Sequence, residues 1–193
     1  MTTFQTETGP WLVIIDGQRI FADPTSPWGS PMWADALPRI LALADAFGLR
    51  VLKTRWVPPD PRVGSWGPYM DAWPFADRPA DDPLYDFVPE LEGVGHECLV
   101  EHSFGKFGPR MESITGGYPH LVLTGVSTDC CVISTALPAA DAGATLTLVT
   151  DACAGSTPEN HAAALTVMGL FPPQITLTTT ADLLAAGGPE GAA

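Results

Sequence analysis

The apolar positions of this chain fall into short unbroken runs separated by segments of helical spacing. Trp11 to Ile15 (WLVII) is the first run, entered through Gly9-Pro10 and closed by Asp16-Gly17. Such a run reads as a buried central strand, here with a carboxylate at its C-terminal end. Ala34 to Phe47 then has helical spacing with Gly48 as its C′ residue, and Pro38 requires its place to be in the first turn. Further strands are predicted at Arg50–Trp56, Cys98–Glu101, His120–Gly125, Ala144–Thr150 and Gln174–Thr178. Helices are predicted at Pro109–Ile114, after the capping residues Ser127, Thr128 and Asp129, at Glu159–Met168 behind Pro158, and at Ala181–Ala186. A frayed tail is expected from about Gly187. Phe21–Trp33 and Trp56–Pro89 lack either period and read as loops rich in proline and aromatic residues; loops as long as the second are usually functional or mobile.

Strands alternating with helices imply a mostly parallel sheet with helices on both faces. The expectation is an α/β, three-layer, doubly wound fold with six strands in the order 3-2-1-4-5-6, forming one domain over residues 1–193. In that order strands one and four meet where the winding reverses, and ligands bind there off the strands' C-terminal ends. Asp16 ends strand one and Cys131 follows strand four, so both are expected at one crevice. No G-x-G-x-x-G follows strand one and no G-x-x-x-x-G-K-[ST] occurs, which argues against a dinucleotide or P-loop site.

Composition narrows the partners. Twenty-two acidic against nine basic residues give a net charge of −13, which disfavours nucleic acid and anionic membranes. The N-terminus MTTFQTETGP has neither a basic n-region nor an apolar h-region, and no apolar run has the length of a membrane span. The four cysteines, Cys98, Cys130, Cys131 and Cys153, form no C-x-x-C pair, which fits a reducing cytoplasm and disfavours a zinc ribbon. A small-molecule substrate and no cofactor are expected.

Cys131 falls in the first turn of its helix, where unpaired N–H groups and the dipole favour an anion, so its thiol is expected to ionise more easily than a free cysteine. The competing reading is a small buried packing residue. Asp16 is a candidate base or a simple turn residue before glycine. Phe21, Trp28, Trp56 and Phe104 are candidates for an aromatic substrate pocket. The long loop's aromatics, including Trp66 and Tyr69, serve either such a pocket or a contact with another subunit.

Three segments carry a resemblance to the isochorismatase-like cysteine hydrolase superfamily: LVIID ending at Asp16, TGVSTDCCVISTALPAADAG around Cys131, and LVTDACAGST at the end of strand five. The resemblance implies an Asp–Lys–Cys triad with Asp16 as the carboxylate and Cys131 as the nucleophile. The family lysine lies six residues before a phenylalanine, but that spacing from Phe107 reaches Glu101. The lysine role is therefore assigned to nearby Lys106, with Glu101 marking the departure. The resemblance also implies a cis peptide before Ser127 and an oxyanion hole formed by the N–H groups of Ser127 and Cys131. The family's metal-binding amidases carry Asp-x-His after strand two, where this chain has Thr54-Arg55-Trp56-Val57, so no metal is expected. A homo-oligomer is expected because oligomers are common in the family. The implied activity is metal-independent hydrolysis of a small amide or ureido C–N bond through a thioester. Two alternatives stay open: acid-catalysed hydrolysis of a vinyl ether, and a non-catalytic binding protein on the same scaffold.

Overall fold

The computed structural model describes residues 9–192 and contains six strands: β1 (Trp11–Ile15), β2 (Val51–Trp56), β3 (Glu97–Glu101), β4 (His120–Val126), β5 (Thr145–Ala154) and β6 (Ile175–Thr178). They form one parallel sheet in the order β3-β2-β1-β4-β5-β6, as the alternation of strands and helices predicts. Strand side chains point alternately to the two faces, so each apolar run serves two cores. Leu12 and Ile14 pack with the helices α1 (Arg19–Ala22), α2 (Trp33–Phe47) and, later in the chain, α7 (Thr180–Ala185). Val13 and Ile15 face α4 (Pro109–Thr115), α5 (Ile133–Asp141) and α6 (Pro158–Met168). The remaining helix, α3 (Trp66–Ala72), lies inside the long loop between β2 and β3. All four of these β1 side chains are fully buried, which is why the strand shows no polar alternation.

Several boundaries differ from the sequence reading. β5 runs on to Ala154, where a loop was expected from Asp151. Ala152, Cys153 and Ala154 are small and buried, and the last two pair with Gly125 and Val126 across a register shift in β4. Asp151 interrupts the apolar pattern without interrupting the strand, because its carboxylate accepts from Thr180 N (2.8 Å) and Thr180 Oγ1 (2.9 Å) and pairs with Arg39 (3.1 Å). Pro38 lies in the second turn of α2, not the first: the helix already starts at Trp33 and tolerates the one N–H that proline cannot donate. The Phe21–Trp33 stretch begins as the end of α1, and the loop after β2 contains α3 and short 3₁₀ turns. From 187 to 192 the chain makes backbone hydrogen bonds. Gly188 N donates to Leu183 O (2.9 Å), Ala192 N donates to Gly188 O (3.1 Å), and Ala192 rests on the core beside α2 and α7.

The close approach of β1 and β4 positions the site. Gly125 has φ +108°, and a Cβ there would lie 2.1 Å from Ile15 O. Only glycine permits this backbone approach, which sets the ends of the two central strands side by side.

Candidate active site

Asp16 stands at the C-terminal end of β1 with φ +46°, a left-handed conformation that aspartate tolerates better than most residues. Thr54 on the neighbouring β2 fixes it from two sides: Asp16 N donates to Thr54 Oγ1 (3.1 Å), and that hydroxyl donates to Asp16 Oδ1 (2.7 Å). The other carboxylate oxygen, Oδ2, lies 2.9 Å from Lys106 Nζ, with both side chains completely buried. Oδ2 has this charge contact but no directed hydrogen bond, so a lone pair stays open to another donor. Gln18 braces the same strand ends, with Nε2 donating to Trp56 O (2.9 Å) and Tyr85 O (2.7 Å) and Oε1 accepting from Trp56 N (2.8 Å).

Lys106 is held independently of its charge. Its Nζ donates to Ser103 O (2.8 Å), and its backbone N–H donates to Thr135 Oγ1 (3.0 Å). The Thr135 hydroxyl in turn donates to Cys131 O (2.7 Å). A short relay through α5 therefore ties the lysine to the cysteine turn. Glu101, at the spacing where the family pattern expects lysine, ends the edge strand β3 opposite Trp56 of β2 and pairs with Arg110 (3.1 Å). It is separated from β1 by β2, and its carboxylate does not reach Asp16. The chain turns back after β3, and this turn, not the strand end, delivers the lysine.

Cys131 lies in a single π-helical turn, Thr128–Val132, between β4 and α5. The Val126–Ser127 peptide before this turn is cis, and Ser127 is buried. Ser127 caps the turn by position, without a side-chain capping bond. Asp129, read from sequence as a capping residue, instead accepts from Ser156 N (2.7 Å) and Ser156 Oγ (2.6 Å), fastening the turn to the loop after β5. Thr128 Oγ1 and His161 Nδ1 lie 2.9 Å apart and add a second tie, to α6.

The Cys131 thiol does not ionise more easily than a free cysteine. The hydrogen bond with Cys130, burial and the neighbouring Asp16 carboxylate raise it well above the ordinary thiol value, against a smaller opposing effect of Lys106. Cys131 is 1% exposed, so loss of solvation outweighs the favourable end of a short turn. Cys130 moves down, chiefly through the same thiol–thiol hydrogen bond. The same contact thus moves the two thiols in opposite directions.

A cavity of about 180 Å³ opens onto this turn. Phe21, Trp28 and Phe104 line it. Trp56 does not. It is fully buried behind them at the end of a central strand, with ring centroids 6.0 Å from Phe21, 5.7 Å from Trp28 and 5.9 Å from Phe104. Tyr69 on α3 takes the lining position that Trp56 was expected to fill. Burial, with smaller contributions from Cys130 and Cys131, pushes its phenol up to about 12, so it remains a neutral donor. The polar wall is formed by Ser127, Asp129, Cys130, Cys131 and Ser156. Thr54, Thr135, Gln18 and Ser156 have no role in the sequence reading, and Asp129 has only a capping one. The hydroxyl and carboxylate residues immediately after strand ends are the signal that could have found the last two.

Among the described residues no group of three His, Cys, Asp or Glu side chains is placed to hold a metal ion, and no helix is long and apolar enough to cross a membrane. The isochorismatase domain family matches residues 10–182. An isochorismatase-like hydrolase from Alkaliphilus metalliredigens superposes with a TM-score of 0.75 at 20% identity, covering 95% of this chain and 98% of its own. A cysteine hydrolase from Pseudomonas syringae pv. phaseolicola gives 0.79 at 17% identity, covering 95% and 93%. An N-carbamoylsarcosine amidase from Thermoplasma acidophilum gives 0.68 at 19% identity, covering 89% and 96%. At these identities the likeness speaks for the fold. Among the curated proteins compared, none matches the chain.

Proposed function

Because the chain belongs to the isochorismatase family of hydrolases, we propose that it is a metal-independent cysteine hydrolase that cleaves a small amide or ureido C–N bond. The observation that carries this reading is the fully buried Asp16–Lys106 pair at 2.9 Å, set at the end of β1 next to the turn that holds Cys131. A buried carboxylate–ammonium pair is costly to desolvate and is weak evidence for stability alone, so its position beside the cavity-lining cysteine turn favours a chemical role.

In the proposed mechanism the substrate carbonyl sits above Cys131. Asp16 Oδ2 takes the thiol proton as sulfur attacks, because the thiol is protonated at rest. The N–H groups of Ser127 and Cys131 hold the oxyanion. Asp16 returns the proton to the departing nitrogen, the C–N bond breaks, and ammonia or an amine leaves with a thioester on Cys131. Water then attacks the thioester with Asp16 as base, releasing the acid and restoring the thiol. Lys106 offers its positive charge to the buried Asp16 side chain and limits the cost of the transient negative charge at sulfur. Ammonia release over a panel of amides and ureides is the test. The wild type turns over at least one of them, and Cys131→Ala turns over none.

The competing reading, acid-catalysed hydrolysis of a vinyl ether, makes no use of the thiol. Vinyl ether hydrolysis would survive Cys131→Ala, which separates the two.

A further inference from the structure

The cavity's charges point to its substrate class. Phe21, Trp28 and Phe104 present a ring wall that is already assembled: Phe21 and Trp28 are stacked at 6.0 Å with 3° between their planes, and Trp28 meets Phe104 edge-on at 6.5 Å. The carboxyl group that lines the cavity with them is Asp129. Ser156 N and Oγ each satisfy one of its oxygens, which fixes the carboxylate and leaves each oxygen able to accept once more. Asp16 adds a second carboxylate behind Cys131. None of the chain's nine cationic side chains lines the cavity. Lys106 is spent on Asp16 and Lys53 on Leu91 O (2.7 Å). Arg39, Arg55, Arg62 and Arg110 pair with Asp151, Asp86, Asp77 and Glu101, and none of the residues lining the cavity is basic.

Resting on the hydrolase reading above, we propose that this site selects uncharged aromatic amides or ureides and rejects carboxylate-bearing ones, with Asp129 as the specificity-determining residue. A flat ring lies on the Phe21–Trp28–Phe104 wall, and a substrate N–H donates to Asp129. A carboxylate in the same place meets Asp129 with no cation to offset it, and like-charge juxtaposition in a partly desolvated site is strongly unfavourable. Carbamoylated amino acids, which carry a carboxylate beside the scissile bond, are then poor substrates of this chain.

The experiment uses neutral–anionic pairs of similar size and shape, such as terephthalamide against para-carbamoylbenzoate and succinamide against succinamate, with ammonia release read on the wild-type chain. The neutral member is expected to have a kcat/KM about tenfold or more above its anionic partner, with the aromatic pair ahead of the aliphatic one. Asp129→Asn is expected to narrow the neutral-to-anion ratio at least about threefold, mainly through KM for the anion. Equal or faster turnover of the anionic members overturns the proposal and leaves the hydrolase reading standing. An unchanged ratio in folded Asp129→Asn overturns the role of Asp129. Turnover of neither member in any pair overturns this proposal, whereas the hydrolase reading falls only if the wider amide and ureide panel is inert as well.

Discussion

Lys106→Met tests whether the lysine and Asp16 act as one unit. Both side chains are completely buried and 2.9 Å apart, so the substitution leaves a carboxylate without solvent or counter-charge. Asp16 keeps only its hydrogen bonds with Thr54, at 2.7 Å to Oδ1 and 3.1 Å from its own N–H. Breaking a buried pair by removing one partner costs about 3–5 kcal/mol. Asp16→Asn should cost a similar amount, because the ammonium then keeps only the Ser103 carbonyl at 2.8 Å. The double variant Asp16→Asn/Lys106→Met buries no charge, so its loss should fall short of the sum of the two by about 2 kcal/mol or more. Urea unfolding followed by fluorescence of the six tryptophans gives all four stabilities. Additivity to within about 0.5 kcal/mol would refute the reasoning, since it would mean the two groups do not feel each other.

Two further outcomes follow from the thiols and the histidines. Iodoacetamide should label Cys130 before Cys131, because Cys130 is shifted down and lines the cavity while Cys131 is raised and buried; peptide mapping showing Cys131 labelled first would contradict this. Burial lowers both His120 and His161 from 6.5, so the folded state holds them neutral. The unfolded chain then binds more protons as the pH falls, and stability should drop from about pH 7 downward through the mid-sixes. Thermal melts across that window should show the decline, and a His120→Gln/His161→Gln variant should flatten it; an unaltered slope in that variant would count against the assignment.

Much of this architecture is legible in the sequence because its central strands are buried on both faces. WLVII and HLVLTGV have no polar alternation to confuse them, so the strand order and the meeting of Asp16 with the Cys131 turn can be read before any coordinates. What is not legible depends on contacts distant in sequence. Asp151 reads as a loop residue because its partners Thr180 and Arg39 lie on other elements. The lysine spacing points to Glu101 because spacing counts residues, whereas the turn after β3 brings Lys106 back to β1. Trp56 and Tyr69 exchange expected places because one ends a central strand and the other sits on a short helix hidden in a proline-rich loop. The raised Cys131 thiol shows the same limit: position in a helical turn suggests ionisation, and burial beside Asp16 and Cys130 reverses it.

The central claim is that Cys131 carries the acyl group, with its neighbour Cys130 in a supporting place. Quenching the wild type in acid during turnover of an amide it hydrolyses, then measuring intact mass and mapping the modified peptide, tests this directly. The account predicts an adduct of the acyl mass on Cys131, absent from Cys131→Ala and still formed in Cys130→Ala. An adduct on Cys130, or undiminished ammonia release by Cys131→Ala, would contradict it.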